Sequence, residues 1–597
     1  MKKLVFILIG LLSYSVEAQL YVSNNSYLYN KGAVVYVGGA VELNGTNSLL
    51  YLRNEGQLVQ GTTGSSVNKG IGKLSVFQEG TVNHFSYNYW CSPVGNASSA
   101  SGNEDFGITM LNVPTTSTAS TPATMITSDS DGQTNPGFLG ISTYWIWKFL
   151  SSSTYAQWLQ SGATTDISAG QGFTMKGSAG ADATAVGETA VNNPGSAQRY
   201  DFRGKPNDGN ITVNVGANNY TLTGNPYPSA MHVNAFLLDA ANAACTGVAY
   251  YWEQNKTVNS HMLLAYQGGY GAYSPVSLGS NGIYVPATFN TYNIDGTLNA
   301  IGVSSGLNIE RKYAPIGQGF MVKGSSGGSL TLKNTYRVFA KEGTFSQFEK
   351  TASLSAPSTA EPSAGCAVEA IPQIRLNTTV NNQYTTQLAL AFVAESTDQV
   401  DRGIDALSPV EDSVPNDVYF VLDSNRYVIQ GLPFDLDKRI PIGITSAEGG
   451  TFTFDASMVL NFDESQPIYL YDAQDGVYHD IKNDTFQATL PAGVTTTRFE
   501  ITFKNTSLST ATAMASDFVI CQNNSAHSLT VSNPKRIEIA SVKLFDLNGK
   551  LLFDRNHLDV AEHYSFSTAG LSEAIYLVQV TAKENQKVNQ KVMITSK

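Results

Sequence analysis

The sequence predicts an all-β, multidomain chain of antiparallel β modules and β-sandwiches in series, closing on an immunoglobulin-like sandwich. Apolar and polar residues alternate in runs of roughly four to eight, bounded by Gly, Asn, Asp or Pro, as antiparallel strands require. Ala33–Val37, Ile211–Val215 and Thr451–Phe454 are examples. Charged residues make up only 14% of the 597, and Gly, Ser, Thr, Asn and Tyr take their place. A surface solvated by hydroxyls and amides suits short strands joined by tight turns. Helical periodicity is confined to one stretch, His232–Ala244.

Residues 1–18 read as a signal peptide. Lys2 and Lys3 give a basic start, Leu4–Leu12 is a nine-residue apolar run, and Val16-Glu17-Ala18 is a small-x-small signal that places the cut after Ala18. Such a run is too short for a hydrocarbon core, which takes about 20 residues. No later segment reaches that length, so no transmembrane segment is expected. The net charge of −12 is dispersed and no basic patch exists to hold phosphates, which argues against nucleic-acid binding.

Residues 19–70 form an N-terminal β region. In it Tyr29–Gly32, Val37–Ala40 and Arg53–Gly56 recur between apolar pairs, as in a short β-coil or a sheet of brief hairpins. Two related β modules follow, at 71–200 and 201–350. Their shared landmarks are AGQGFTMKGSAG ending at Gly180 and PIGQGFMVKGSSGG ending at Gly328, with aromatic runs upstream (Tyr144–Trp147 and Tyr250–Trp252). Farther upstream lie the proline turns Trp90–Asn96 and Thr223–Pro228, where Tyr227-Pro228 is a candidate cis bond. Linkers are expected at 351–370 and 506–516, because Thr351–Gly365 and Asn505–Ser516 carry almost no large side chains to bury. Between them, 371–505 reads as a β-sandwich, and 517–597 is the last domain.

That last domain holds the most specific pattern. Ala540–Lys550 is a strand running into an Asp-Leu-Asn-Gly turn (Asp546 to Gly549), Leu571–Val580 contains Ile575-Tyr576, and Lys591 opens the final strand. Tyr576, Val578 and Val580 share one face at period two, as do Val592 and Ile594. This pattern resembles the C-terminal type A sorting domain of type IX secretion system cargo proteins, with Ala574 where the family usually has Gly. The resemblance implies that the tail is an immunoglobulin-like sorting domain engaging the secretion machinery of the outer membrane. It further implies an extracellular or cell-surface location after periplasmic folding, with release or attachment to surface polysaccharide. Asp401–Ala406, Arg439–Gly443, Ile468–Asp472 and Thr497–Phe499 are likewise similar to a β-sandwich module found before such tails.

Catalytic signatures are sparse. No HExxH is present, and the seven histidines (His84, His232, His261, His479, His527, His557, His563) fall in no triad context. Gly324–Gly328 matches GxSxG around Ser326, but Ser329–Leu332 after it reads as strand where a nucleophile elbow needs a helix. A glycosidase needs only two carboxylates and sequence spacing does not exclude one; Asp401 with Asp405 is one possible pair, against a structural role in which Arg402 pairs with either. Calcium is conceivable at Asp129-Ser130-Asp131-Gly132 with Asn135, or at Asp472–Gly476, though neither is a complete loop and no cofactor is expected. Cys91, Cys245, Cys366 and Cys521 form no CxxC pair, so zinc is not expected, and either disulfides or buried free thiols fit. Trp145, Trp147, Trp158, Tyr251 and Trp252 are the candidates for stacking on sugars, Trp147 and Trp252 foremost, with Tyr266, Tyr270 and Tyr273 nearby; sandwich core is the favoured reading for these rings. The expected function is non-catalytic: adhesion or extracellular scaffolding, with a glycan-binding or glycan-degrading protein as the alternative.

Overall fold

The computed structural model describes residues 18–597 apart from 62, 136, 181–194, 301, 307–309, 344–345, 347, 349–369, 410–414, 506–517, 548, 584–586 and 596–597. Residues 1–17 of the expected signal peptide, most of the two expected linkers and Cys366 therefore lie outside the described residues. The chain divides into two compact units, Met1–Ile501 and Thr502–Lys597.

The first unit begins with a parallel coil. Strands β1 (Leu20–Val22), β2 (Tyr27–Lys31) and β3 (Val34–Val37) form one rung, and β4 (Val41–Leu43), β5 (Leu49–Arg53) and β6 (Gln57–Gln60) form the next. Each strand pairs in parallel with the one three later, so Leu20 lies over Val41, Leu28 over Leu50 and Val35 over Leu58. Of the two readings of 19–70, the structure takes the β-coil, and its strands are parallel where the chain as a whole was expected to be antiparallel. Short turns with Asn25, Gly32, Gly45, Asn54 and Glu55 at positive φ bring the chain round to the same direction after each circuit. A third level continues through Lys69, which bridges Glu42, and through β7 (Lys73–Glu79), which pairs with β5. There β7 meets the strand Arg199–Pro206 antiparallel, and the coil's apolar column merges with the first module in one core containing Leu50, Leu74, Trp90, Phe173 and Phe202.

The two modules repeat one arrangement. Strand β8 (Tyr87–Cys91) pairs antiparallel with Gly172–Lys176, and Tyr220–Gly224 pairs the same way with Gly319–Gly324. In each copy the strand leading into the proline turn lies against the Gln-Gly-Phe strand, and the motif lysine faces a tyrosine: Lys176 opposite Tyr87, Lys323 opposite Tyr220. The copies also grip each other. A Cβ on Gly172 would sit 2.6 Å from Leu222 Cγ, and one on Gly319 would sit 2.7 Å from the backbone nitrogen of Trp90. The motif glycine is thus the place where each copy admits the other's strand. Helix α1 (Val233–Leu238), followed by a 3₁₀ turn at Ala240–Asn242, occupies the predicted helical stretch. Among the described residues no peptide bond is cis, so Tyr227-Pro228 is trans.

Residues 373–502 form one sheet of eleven strands where a two-sheet sandwich was expected. Its path runs from Val477–Asp480 to Phe486–Leu490, which are consecutive along the chain, and the sheet curls until these two edges approach. His479 stacks on Phe486 at 3.6 Å across the seam. Closure of this kind removes exposed edges, which two stacked sheets would leave. Phe452, Phe454, Phe499, Ile442 and Ile429 fill the interior. Arg402 anchors this sheet to the second module by donating to the carbonyls of Cys245 (2.9 Å) and Asn242 (2.7 Å).

The second unit is a two-sheet sandwich. Val519–Asn523, Ser528–Ser532 and His563–Ser567 form one sheet; Leu551–Asn556, Ile539–Phe545, Ala574–Ala582 and Lys587–Ile594 form the other. Its own core includes Leu529, Val531, Val542, Leu544, Val578 and Val580.

Candidate functional site

A group of chemistry-bearing side chains lies where the two modules meet. Lys176, on the Gln-Gly-Phe strand of the first copy, is 4% exposed. Its ammonium sits over the rings of Trp145 (3.6 Å), Tyr87 and Tyr266 (4.9 Å each) and donates to the Tyr266 hydroxyl. It also meets His261 Nδ1 at 3.0 Å, while His261 Nε2 meets Asp131 Oδ1 at 2.5 Å. His84 Nε2 lies 3.7 Å from the same oxygen, and Trp145 stacks on His261 at 5.1 Å. Burial is the main force on the lysine and brings its pKa down to about 7, with Asp131 pulling weakly the other way. Burial likewise lowers His84, opposed by Asp131.

His261 belongs to the loop 255–267 of the second module, whereas Lys176, Asp131 and His84 belong to the first. More bonds follow the same path: Asn83 donates to Asn259 (2.9 Å), Lys256 to the Thr81 carbonyl (2.7 Å), and Tyr89 and Tyr270 share a hydroxyl bond of 2.8 Å. The group therefore works as a clasp holding that loop onto the first module. The lysine nitrogen is enclosed by the rings of Trp145, Tyr87 and Tyr266. Sequence reasoning missed this site. The repeated Gln-Gly-Phe-x-x-Lys-Gly motif marks Lys176, but nothing local ties His261 or Asp131 to it.

The sequence-predicted residues fall elsewhere or take other roles. Trp252 is 9% exposed, stacked on Tyr89 and edge-on to Tyr270 at 5.1 Å, and so closed to a sugar ring. Tyr251 and Tyr273 are buried as well. Trp147 differs: it is half-exposed, its indole N–H is fixed on the Tyr144 carbonyl at 2.6 Å, and it alone of the five tryptophans has no ring packed on it among the described residues. Tyr144 and Leu159 beside it are 42% and 50% exposed.

Asp401 and Asp405 do not frame a cleft. Asp405 is buried and accepts from the backbone nitrogens of Asp401 (2.6 Å) and Gly431 (2.8 Å), and Arg402 turns away from both carboxylates to the second module. Burial raises Asp405 to about 7, against those two bonds. Ser326 is exposed in a hairpin between two strands, with no helix after it. Asp131 is taken up by the histidines, and the Asn135 side chain lies outside what is described. Asp472 is held by Arg498 through two bonds of 3.0 and 2.8 Å; burial would raise its pKa, but these bonds bring it below the usual value. Cys91 and Cys245 are buried free thiols, and Cys521 is free and exposed. A cavity of about 280 Å³ beside the coil is lined by Arg53, Phe77, Glu79 and Arg199, of which Arg199 and Glu79 pair at 2.6 Å.

In the second unit, the Asp546 carboxylate accepts from Lys550 N at 2.9 Å and its carbonyl from Gly549 N at 3.0 Å, closing a turn that needs φ +78° at Gly549. Tyr576 is buried and its hydroxyl donates to the Ser572 carbonyl at 2.8 Å. Lys591 stands exposed opposite Leu577. Ala18 is exposed just before β1, its carbonyl accepting from Gly39 at 2.8 Å.

A family model described as "Domain of unknown function (DUF8693)" matches residues 8–503, and one described as "Domain of unknown function (DUF8694)" matches residues 507–594. No curated protein matches the chain. The two matches meet close to where the two compact units meet. With most of its length covered by the first model, the chain belongs to the family described as "Domain of unknown function (DUF8693)".

Proposed function

We propose that the chain is an exported, non-catalytic β protein of the cell surface or its surroundings, serving in adhesion or as an extracellular scaffold, with residues 517–597 as its secretion address. The observation that carries this is the ordered set Asp546, Gly549, Tyr576 and Lys591, which resembles the tail of type IX cargo proteins. Two features support it. These residues lie on one sandwich with its own core, as a separable address would require. Of the carboxylates weighed for catalysis or calcium, Asp405 accepts from backbone nitrogens and Asp472 is paired with Arg498. The partners of this reading are the outer-membrane secretion machinery and, beyond it, surface polysaccharide or environmental glycans; no cofactor takes part. The test is deletion of residues 517–597 in the native host, followed by immunoblotting of cell fractions. The truncated protein is expected to stay in the periplasm, and undiminished export would overturn the proposal.

A second reading, glycan binding, is favoured by Trp147, an indole held in place with no ring against it among the described residues. Glycan-array binding by the whole protein that is lost in Trp147→Ala would support it. Retained binding in that variant would remove Trp147 from consideration.

A further inference from the structure

The coil at the start of the first unit is sealed at one end and open at the other. In its interior column, the second-rung residues Val41, Leu50 and Leu58 are fully buried. Their first-rung neighbours Leu20, Leu28 and Val35 point into the same column yet are only partly covered. The reason is in the pairing. Above the second rung lie Lys69 and β7, and Leu58 N donates to the Pro228 carbonyl. Below the first rung nothing follows: among the described residues β1, β2 and β3 each pair on one side alone. Coils and solenoids normally close such an end with a polar cap, since it otherwise displays apolar side chains and unpaired backbone groups together.

This end lacks the usual protection. From Gln19 to Val37 there is one charged residue, Lys31, and no proline. Tyr21, Tyr27 and Tyr36 on the same rung are 56%, 66% and 67% exposed. We propose that the open rung β1–β3 docks on the same rung of a second copy of this chain, giving a closed two-fold dimer joined coil to coil. A nearly uncharged edge is complementary to itself: strand edges can pair across the two-fold axis, the interior columns become continuous, and a single lysine per copy sets up little repulsion. The coil has one open end, so assembly stops at two.

The proposal rests on the export reading in one respect, removal of residues 1–18, and N-terminal sequencing of the exported protein checks that step separately. Sedimentation velocity on the protein starting at Gln19, up to roughly 100 µM, is expected to show a monomer–dimer equilibrium. Leu28→Lys, which puts a charge in the open column, and Tyr36→Lys, on a side chain already exposed, should each weaken dimerisation at least tenfold. Ile294→Lys, at an 80% exposed position elsewhere in the unit, should leave it unchanged. Circular dichroism identical to wild type in the Tyr36→Lys variant guards against mere misfolding. A monomeric wild type, a dimer indifferent to both coil substitutions, or open-ended polymers would each overturn the proposal.

Discussion

Lys176→Met offers the sharpest test of the clasp. In the folded protein burial lowers the lysine from 10.5 to about 7. Between those values the unfolded chain holds a proton that the folded one has released, so stability rises with pH. The stabilisation is complete above the unfolded value and is lost as pH falls toward the folded one. A shift of this size corresponds to roughly 4–5 kcal/mol at most, and relaxation of the aromatic box brings the expected figure to about 2–4 kcal/mol. Met keeps the apolar stem and removes the titrating group together with the bonds to Tyr266 and His261. The assay is urea unfolding followed by tryptophan fluorescence, which reports on the first unit because all five tryptophans lie there. The wild-type advantage over Lys176→Met should grow by about 2–4 kcal/mol between pH 7 and pH 10. A difference constant to within about 0.5 kcal/mol would show that the lysine is not held neutral by its surroundings, and the account of the clasp would fail.

Asp405 has the opposite sign. Its folded value of about 7 lies above the ordinary carboxylate range, so its contribution is full at acidic pH and is lost as pH rises toward 7. Asp405→Asn should flatten the pH 4–7 part of the stability curve of the first unit, at a cost of about 1–2 kcal/mol at pH 4 from the bond Asn cannot accept; an unaltered slope would contradict the burial argument. Gly319→Ala should destabilise by about 1–3 kcal/mol, because the new methyl meets the Trp90 backbone, which cannot swing aside as a side chain can; wild-type stability by the same urea assay would show that the two copies are loosely joined. Trp252→Ala should cost about 3–5 kcal/mol against about 1–2 kcal/mol for Trp147→Ala, and comparable losses would erase the distinction between the core indole and the half-buried one. Tyr576→Phe should lower the stability of the second unit, expressed by itself and followed by circular dichroism, by about 1 kcal/mol through loss of the bond to Ser572; no change would refute that role.

How much was legible depended on the range of the interaction. The β class, the helix at α1, the paired Gln-Gly-Phe motifs and the Asp546–Gly549 turn were readable because each is set by neighbours a few residues apart: alternation, turn chemistry, a glycine at positive φ. The same local logic recognised the tail strands, whose apolar faces needed only a period of two. Parallel pairing in the coil was not readable, since alternation is alike for either strand direction and only the return path decides. Nor was the curled sheet: its edge strands, Val477–Asp480 and Phe486–Leu490, announce nothing about meeting. The clasp lay furthest from view. Lys176, His261 and Asp131 gain their properties by being brought together across two modules, where burial strips water from an amine and leaves a histidine and a carboxylate to hold it. Residue types and their spacing along the chain carry the local conformations, but desolvation and side-chain proximity depend on which surfaces the fold presses together. Those were decided by the tertiary structure alone.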